Sequence, residues 1–136
     1  MKKNINLAVV GLGQVGIYLL NELITKKKEI ELKTGKKINV VAVSAKNKNK
    51  KRKFRFDKKI FFKDPLNIFK NTKVDVLFEA IGTSDGISKK VVEIALKKKI
   101  HVITPNKALI SKHGNELAKI AEFNNVNFEF EASVAG

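Results

Sequence analysis

The chain has 136 residues, 43% of them hydrophobic, no cysteine, and a net charge of +15 from 28 Lys and Arg against 13 Asp and Glu. This length and composition fit one domain over residues 1–136 and exclude a disordered chain, a disulfide framework and a cysteine nucleophile. No signal peptide or membrane-spanning apolar run is recognisable, so we expect a cytoplasmic protein without a membrane partner.

The first predicted element is a short apolar strand, residues 5–10 (INLAVV), which leads into a glycine-rich turn. Gly11, Gly13 and Gly16 have the G-x-G-x-x-G spacing, and a helical apolar pattern follows them. In a dinucleotide site the first glycine allows the sharp turn, the second lets a pyrophosphate approach the backbone, and the third lets the helix pack closely. The positive end of that helix receives the phosphates. The turn therefore predicts a dinucleotide site, with a merely tight glycine turn as the alternative.

Strands and helices alternate along the rest of the chain. We predict helices at 14–28, 65–70, 87–98 and 108–124, and strands at 38–44, 74–80, 100–103 and 126–130. Residues 29–37 should end the first helix and turn at Gly35, Asp64 should cap the short helix, and Gly114 is a candidate break in the last helix. Residues 54–62 mix aromatic residues with lysines and indicate no definite element. This alternation predicts an α/β fold with a doubly wound parallel sheet, whose ligands bind at the carboxyl ends of the strands.

The end of the predicted second strand bears on the choice of dinucleotide. NAD-preferring folds usually place an acidic residue there, about twenty residues past the glycines, to hold the ribose hydroxyls. Here the sequence is Ser44, Ala45 and Lys46, without an acid. A carboxylate would repel a ribose phosphate, whereas Lys46 would attract one, so the sequence favours NADP(H) and leaves NAD possible. The alternative is that Lys46 only continues a general lysine surface.

Residues 45–53 (AKNKNKKRK) form an intensely basic segment of low complexity. A basic excess can indicate a nucleic-acid partner. However, Arg52 and Arg55 are the only arginines in the chain, and arginine is the residue favoured for base readout and for bidentate phosphate contacts. We therefore interpret the segment as an exposed loop in a solvated lysine surface and expect no nucleic acid, with binding through 45–53 as a weaker alternative. His101 and His113 have no metal or triad spacing to a carboxylate.

Three loop sequences are more specific than the fold. FEAIG (78–82), VITPNKALIS (102–111) and FEASVAG (130–136) follow the glycine turn in that order. With it they resemble the N-terminal, Rossmann-like NAD(P)-binding domain of homoserine dehydrogenase over essentially the whole chain. The resemblance implies an NAD(P)-dependent oxidoreductase that interconverts homoserine and aspartate semialdehyde in threonine, methionine and isoleucine biosynthesis.

The resemblance also implies roles for individual residues. The turn that binds the pyrophosphate would be formed by Gly11, Gly13, Gln14, Val15 and Gly16. Ala45 and Lys46 would contact the adenosine ribose. Ile81 and Gly82 would lie on the nicotinamide side. Lys107 would contact the cofactor and have a catalytic role in proton handling. That role is chemically reasonable, because an ammonium group near a carbonyl stabilises developing negative charge. The alternative for Lys107 is one more solvated lysine.

The last loop matches a monovalent-cation site of the family. There Glu131 would supply a carboxylate, and Val134 and Gly136 would supply backbone carbonyls, to a sodium ion. The alternative for Glu131 is that it merely ends the last strand. The sequence departs from the family at Thr83, where many members have a second glycine, and at Pro105, where they have alanine.

The largest departure from the family is length. Its C-terminal substrate-binding and dimerisation domain, with the principal catalytic lysine, has no counterpart in the 136 residues. We therefore expect the chain alone to bind cofactor without turnover, the substrate to bind only with that missing domain, and the full-length protein to be a homo-oligomer. A non-catalytic NAD(P)-sensing module is the alternative from another functional class.

Overall fold

The computed structural model describes residues 3–46 and 56–130. Its strands are β1 (Asn4–Val10), β2 (Lys37–Ser44), β3 (Phe61–Phe62), β4 (Val76–Glu79), β5 (His101–Thr104) and β6 (Phe128–Phe130). Its α-helices are α1 (Gln14–Thr25), α2 (Lys27–Thr34), α3 (Ile68–Asn71), α4 (Ile87–Lys97) and α5 (Lys107–Phe123). The strands form one parallel sheet in the order β3-β2-β1-β4-β5-β6.

The sheet is buried on both faces, as the central strand β1 shows. Because successive side chains of a strand point to opposite faces, Ala8 and Val10 belong to one core and Leu7 and Val9 to another. The first core includes buried residues of α4 and α5, and the second includes Leu20 of α1. Helical layers thus cover both faces, which confirms the predicted doubly wound α/β fold.

The strand order reverses between β1 and β4, and the loops at that point touch one another. The N–H of Gly11 donates to the carbonyl of Ser44 at 2.8 Å, and the N–H of Ala80 donates to the carbonyl of Val10 at 2.7 Å. The chain segments that follow β1, β2 and β4 therefore meet at one edge of the sheet. In open parallel sheets, this edge is where ligands bind.

The first predicted helix is in fact two helices. Lys26 leaves the helical conformation, with φ −107° and ψ 18°, and it separates α1 from α2. Residues 29–34 are helical, as a helix end before Gly35 requires, but the prediction that they end the first helix is wrong because they belong to α2. The turn at Gly35 is confirmed, since this residue caps α2 in the left-handed conformation with φ +68°.

Helix α5 runs without interruption through Gly114, so the candidate break there is wrong. A single glycine inside a helix costs only about 1 kcal/mol relative to alanine, which is less than the burial of Leu109 and Leu117 on the same helix contributes. Asp64 caps as predicted, because its side chain accepts from the N–H of Leu66 at 3.0 Å. The turn it caps is a 3-10 helix followed by α3. Within the described residues, no helix is long and apolar enough to cross a membrane.

Candidate functional site

Two of the three glycines in the turn after β1 are required by packing inside the chain. Gly11 has φ +98°, and a Cβ there would lie 2.5 Å from the carbonyl carbon and oxygen of Ala80. At Gly16 a Cβ would lie 2.0 Å from the carbonyl oxygen of Gly11. Gly11 therefore lets the loop after β4 approach the turn, and Gly16 lets α1 pack against it.

Gly13 has a different environment, because a Cβ there would meet nothing within 4 Å. It is exposed and is the N-cap of α1, where no side chain caps the helix and no acidic residue lies in the first turn. The first hydrogen bond of the helix runs from the N–H of Ile17 to the carbonyl of Gly13, so the N–H groups of Gln14 and Val15 precede it. Open space beside an uncapped, positive helix end fits the pyrophosphate of a dinucleotide.

The end of β2 lies directly beside this turn. Ser44 is buried, and its carbonyl accepts from Gly11, whereas Ala45 is half-buried and Lys46 is exposed. None of these three residues is acidic. A cation and no anion therefore lie at the position where a ribose would be bound. The basic segment that follows, residues 47–55, lies outside the described residues.

The loop after β4 is shaped by the carboxylate of Glu79, which is completely buried at the end of that strand. One of its oxygens, Oε2, accepts from the N–H groups of Ile81 and Gly82 at 2.9 and 3.4 Å. The other, Oε1, accepts from the hydroxyl of Thr104, on β5, at 2.6 Å. The backbone at Gly82 has φ +92°, so this tight turn favours glycine. Glu79 thus joins the loop after β4 to the end of β5.

Asn106 continues this network to α5. Its side-chain amide nitrogen donates to the carbonyl of Thr83 at 2.7 Å and lies 3.4 Å from each carboxylate oxygen of Glu79. Its side-chain oxygen accepts from the N–H of Leu109 at 3.1 Å and so caps the helix. Lys107, the first residue of α5, is exposed beside this cap. The structure therefore brings the predicted nicotinamide loop and Lys107 to neighbouring positions.

Glu79, Thr104 and Asn106 were not among the candidate site residues from the sequence. A signal was present, because a glutamate inside a hydrophobic strand must have several donors to be buried. An asparagine just before a predicted helix is likewise typical of an N-cap. The sequence could not indicate that these features meet, since Glu79 and Asn106 are 27 residues apart.

A second polar cluster links the start of α4 to α5 on the surface. The carboxylate of Asp85 accepts from Lys112 and lies 2.8 Å from Nε2 of His113. These two hydrogen bonds lower the pKa of Asp85 from 3.8 to about 2. His113 therefore contacts a carboxylate that its spacing in the sequence does not indicate, and the group is a surface ion pair and not a triad.

The predicted sodium ligands, Glu131, Val134 and Gly136, lie outside the described residues. Within residues 3–46 and 56–130, no group of three or more His, Asp or Glu side chains could hold a metal ion. The sodium site therefore stays a prediction.

Comparison with known proteins gives consistent matches. A family profile described as "Homoserine dehydrogenase, NAD binding domain" matches residues 11–131. Homoserine dehydrogenases from Neisseria gonorrhoeae and Bacillus subtilis are 35% and 31% identical over 98% of this chain, which spans 30% and 31% of their lengths. The crystal structure of S. aureus homoserine dehydrogenase at pH 7.5 superposes with a TM-score of 0.88 at 31% identity, covering 96% of this chain and 34% of that one.

Proposed function

The chain belongs to the homoserine dehydrogenase family, whose NAD-binding domain it matches, and from this premise we propose that it binds NADP(H) for the interconversion of homoserine and aspartate semialdehyde. The observation that carries the proposal is the uncapped N-terminus of α1 at Gly13, next to an end of β2 that has no acidic residue. The reaction belongs to the biosynthesis of threonine, methionine and isoleucine.

The preference for NADP(H) over NAD(H) rests on charge at the end of β2. The two cofactors differ by one phosphate on the adenosine ribose, and acidic residues at this position select against it. Ser44, Ala45 and Lys46 offer a hydroxyl, a small side chain and an ammonium group. Because Lys46 is exposed, its attraction for the phosphate is screened by salt and makes a moderate contribution.

The roles proposed for the other cofactor residues come from the resemblance to the family. Gly13, Gln14 and Val15 form the helix end that would hold the pyrophosphate, with the N–H of Gly16 behind them. When bound, the reduced nicotinamide supplies the hydride. Ile81 and Gly82, in the loop that follows β4, would lie near that ring.

Lys107 is the proposed catalytic residue of this chain. Its ammonium group stands at the N-terminal end of α5, where the helix dipole also favours negative charge. A cation there would stabilise the negative charge that develops on the substrate oxygen during hydride transfer. The sodium ligands Glu131, Val134 and Gly136 remain part of the proposal on the resemblance of FEASVAG alone.

The proposal is tested by titrating the purified chain with NADPH and NADH and following the fluorescence of the reduced nicotinamide. We expect saturable binding with NADPH tighter than NADH. Lys46→Glu should weaken NADPH by about tenfold or more, since it removes a charge-assisted hydrogen bond and adds repulsion, and it should not weaken NADH, because a carboxylate there can hold the ribose hydroxyls. Gly13→Val should weaken both, because its side chain would fill the open space at the helix end.

Lys37→Glu is the matched control for the charge change. Lys37 is exposed at the amino end of the same strand, so its replacement alters net charge equally but leaves the carboxyl edge intact. It should bind NADPH like the wild type. Equal affinity of the wild type for both cofactors would overturn the NADP(H) preference, and no binding of either would overturn the cofactor site.

A further inference from the structure

Asn106 makes more contacts than a helix cap requires. Capping uses only its side-chain oxygen, which accepts from Leu109. Aspartate and serine cap helices about as well as asparagine does. The amide nitrogen of Asn106 serves another purpose, because it donates to the carbonyl of Thr83 and lies against the carboxylate of Glu79. This donor ties the loop after β4 to the residue directly before Lys107.

Glu79 is the second residue of the same hydrogen-bond network. Its carboxylate accepts from Ile81 and Gly82 on one side and from Thr104 on the other, and it is completely buried. A buried carboxylate needs a donor for nearly every lone pair, so each of these contacts restrains the others. The loop after β4 and the start of α5 cannot shift independently while the network is intact.

We propose that Asn106 and Glu79 are positioning residues that hold the nicotinamide half of the cofactor site as one unit. They would fix Ile81 and Gly82 against Lys107, so that the ring and the ammonium group keep a set separation. The adenosine half, formed by the loops after β1 and β2, lies outside this network. The inference rests on the proposed cofactor site and extends it to residues that would not touch the cofactor.

The variant Asn106→Asp removes the amide donor that links Asn106 to Thr83 and Glu79 but keeps the oxygen that caps α5. Aspartate has the same shape and caps α5 equally well. It replaces the donating amide with an oxygen that faces the carbonyl of Thr83 and the carboxylate of Glu79. An ionised aspartate would repel both of these acceptors, and a protonated one has a single hydrogen where the amide has two, so in either state the loop after β4 should be held less firmly to α5 while both elements stay folded.

The experiment measures, by calorimetry, the binding of NADPH and of adenosine 2′,5′-bisphosphate, which has the adenosine half and no nicotinamide. Asn106→Asp should bind NADPH about tenfold more weakly, as expected when buried groups lose their partners. It should bind the bisphosphate like the wild type. The fluorescence change of bound NADPH should also shrink, because its ring would be held less rigidly. Asn115→Asp, on the exposed side of the same helix, is the matched control and should change neither affinity.

Different results separate the inference from the proposed function. If the wild type binds neither ligand, the proposed cofactor site is wrong. If the wild type binds NADPH and Asn106→Asp binds it equally well, only the positioning role is overturned. Equal weakening of both ligands would overturn it too, since it would indicate general damage to the fold. Should Asn106→Asp not fold, Glu79→Gln is the second variant, which keeps the size of the side chain and must show the same selective loss.

Discussion

At the scale of single residues, each of the three glycines of the turn after β1 has a different environment. Gly11 and Gly16 are held by contacts inside the chain that no larger residue fits. Gly13 has no such contact, so packing within the described residues does not require a glycine there. The G-x-G-x-x-G spacing predicted all three roles, because each follows from the geometry of a strand, a tight turn and a helix. Only the structure shows, by distance, that packing requires Gly11 and Gly16 and does not require Gly13.

This difference gives a prediction about stability. Gly16→Ala should lower the free energy of unfolding by about 1–3 kcal/mol or more, because overpacked positions force the backbone to move. The clash is with backbone, the carbonyl oxygen of Gly11 at 2.0 Å, which cannot rotate away. Urea unfolding followed by circular dichroism measures the change.

Gly114→Ala is the control for the same substitution in a helix. Its Cβ would meet only the side chain of Ile110, at 3.4 and 4.0 Å. Alanine there should raise the free energy of unfolding by up to about 1 kcal/mol through helix propensity and reduced chain entropy. Similar effects of the two substitutions would contradict the packing role of Gly16.

At the scale of elements, the sequence predicted the helices and strands whose hydrophobic residues have a clear periodicity or form a long apolar run. The strands β1 and β2 and the helices α4 and α5 lie where the pattern placed them. The two-residue strand β3 was missed because Phe61 and Phe62 are too few to show alternation, and they are held by pairing with Val43 and Ser44. The separate helix α2 was missed because its composition is charged and its packing is slight: none of its residues is buried.

The start of α4 and the middle of α5 are joined by Asp85, and this contact should depend on pH. The pKa of Asp85 is lowered from 3.8 to about 2 by hydrogen bonds from Lys112 and His113. A lowered pKa means that the folded state favours the ionised group. Its contribution to stability is therefore present above the ordinary value of 3.8 and is lost as the pH falls toward about 2.

We expect Asp85→Asn to lower the urea midpoint slightly at neutral pH, to have a smaller effect near pH 2 and to lose its effect below that pH. The effect should be small and weaken with added salt, because the pair is exposed. Urea unfolding of both proteins across this pH range measures it, with Asp57→Asn, an exposed aspartate outside the cluster, as the comparison. A difference between wild type and Asp85→Asn that persists unchanged at about pH 2 would contradict the assigned cause.

At the scale of the whole molecule, the candidate site divides into a part that the sequence predicts and a part that it does not. The glycine turn and the end of β2 are local in the chain, so short motifs identify them. The network of Glu79, Thr104 and Asn106 joins two strands and a helix, and only the sheet order brings it together. The net charge of +15 indicates attraction for any anion and does not distinguish a cofactor from nucleic acid. The proposal of a cofactor rests instead on the uncapped helix end at Gly13.

The 136-residue chain is short compared with its relatives, and this bears on whether it can turn over substrate. It spans 30% of the length of its Neisseria gonorrhoeae relative, and it matches the NAD-binding domain of the family. Hydride transfer also requires an aldehyde held in contact with the nicotinamide, and this positioning is worth about 7–11 kcal/mol of the barrier. We therefore expect the 136-residue chain to bind NADPH. When it is supplied with homoserine and NADP, we expect it to form NADPH far more slowly than a typical enzyme, whose turnover is about 10 per second.

Absorbance of reduced cofactor, with NADPH binding measured in the same preparation, tests this expectation. Binding without turnover would mean that substrate positioning is supplied by further residues such as the longer relatives have. Turnover at ordinary enzyme rates would instead require that the carboxyl edge of this sheet, with Lys107 beside it, holds both reactants, and the expected division between cofactor binding and catalysis would be wrong.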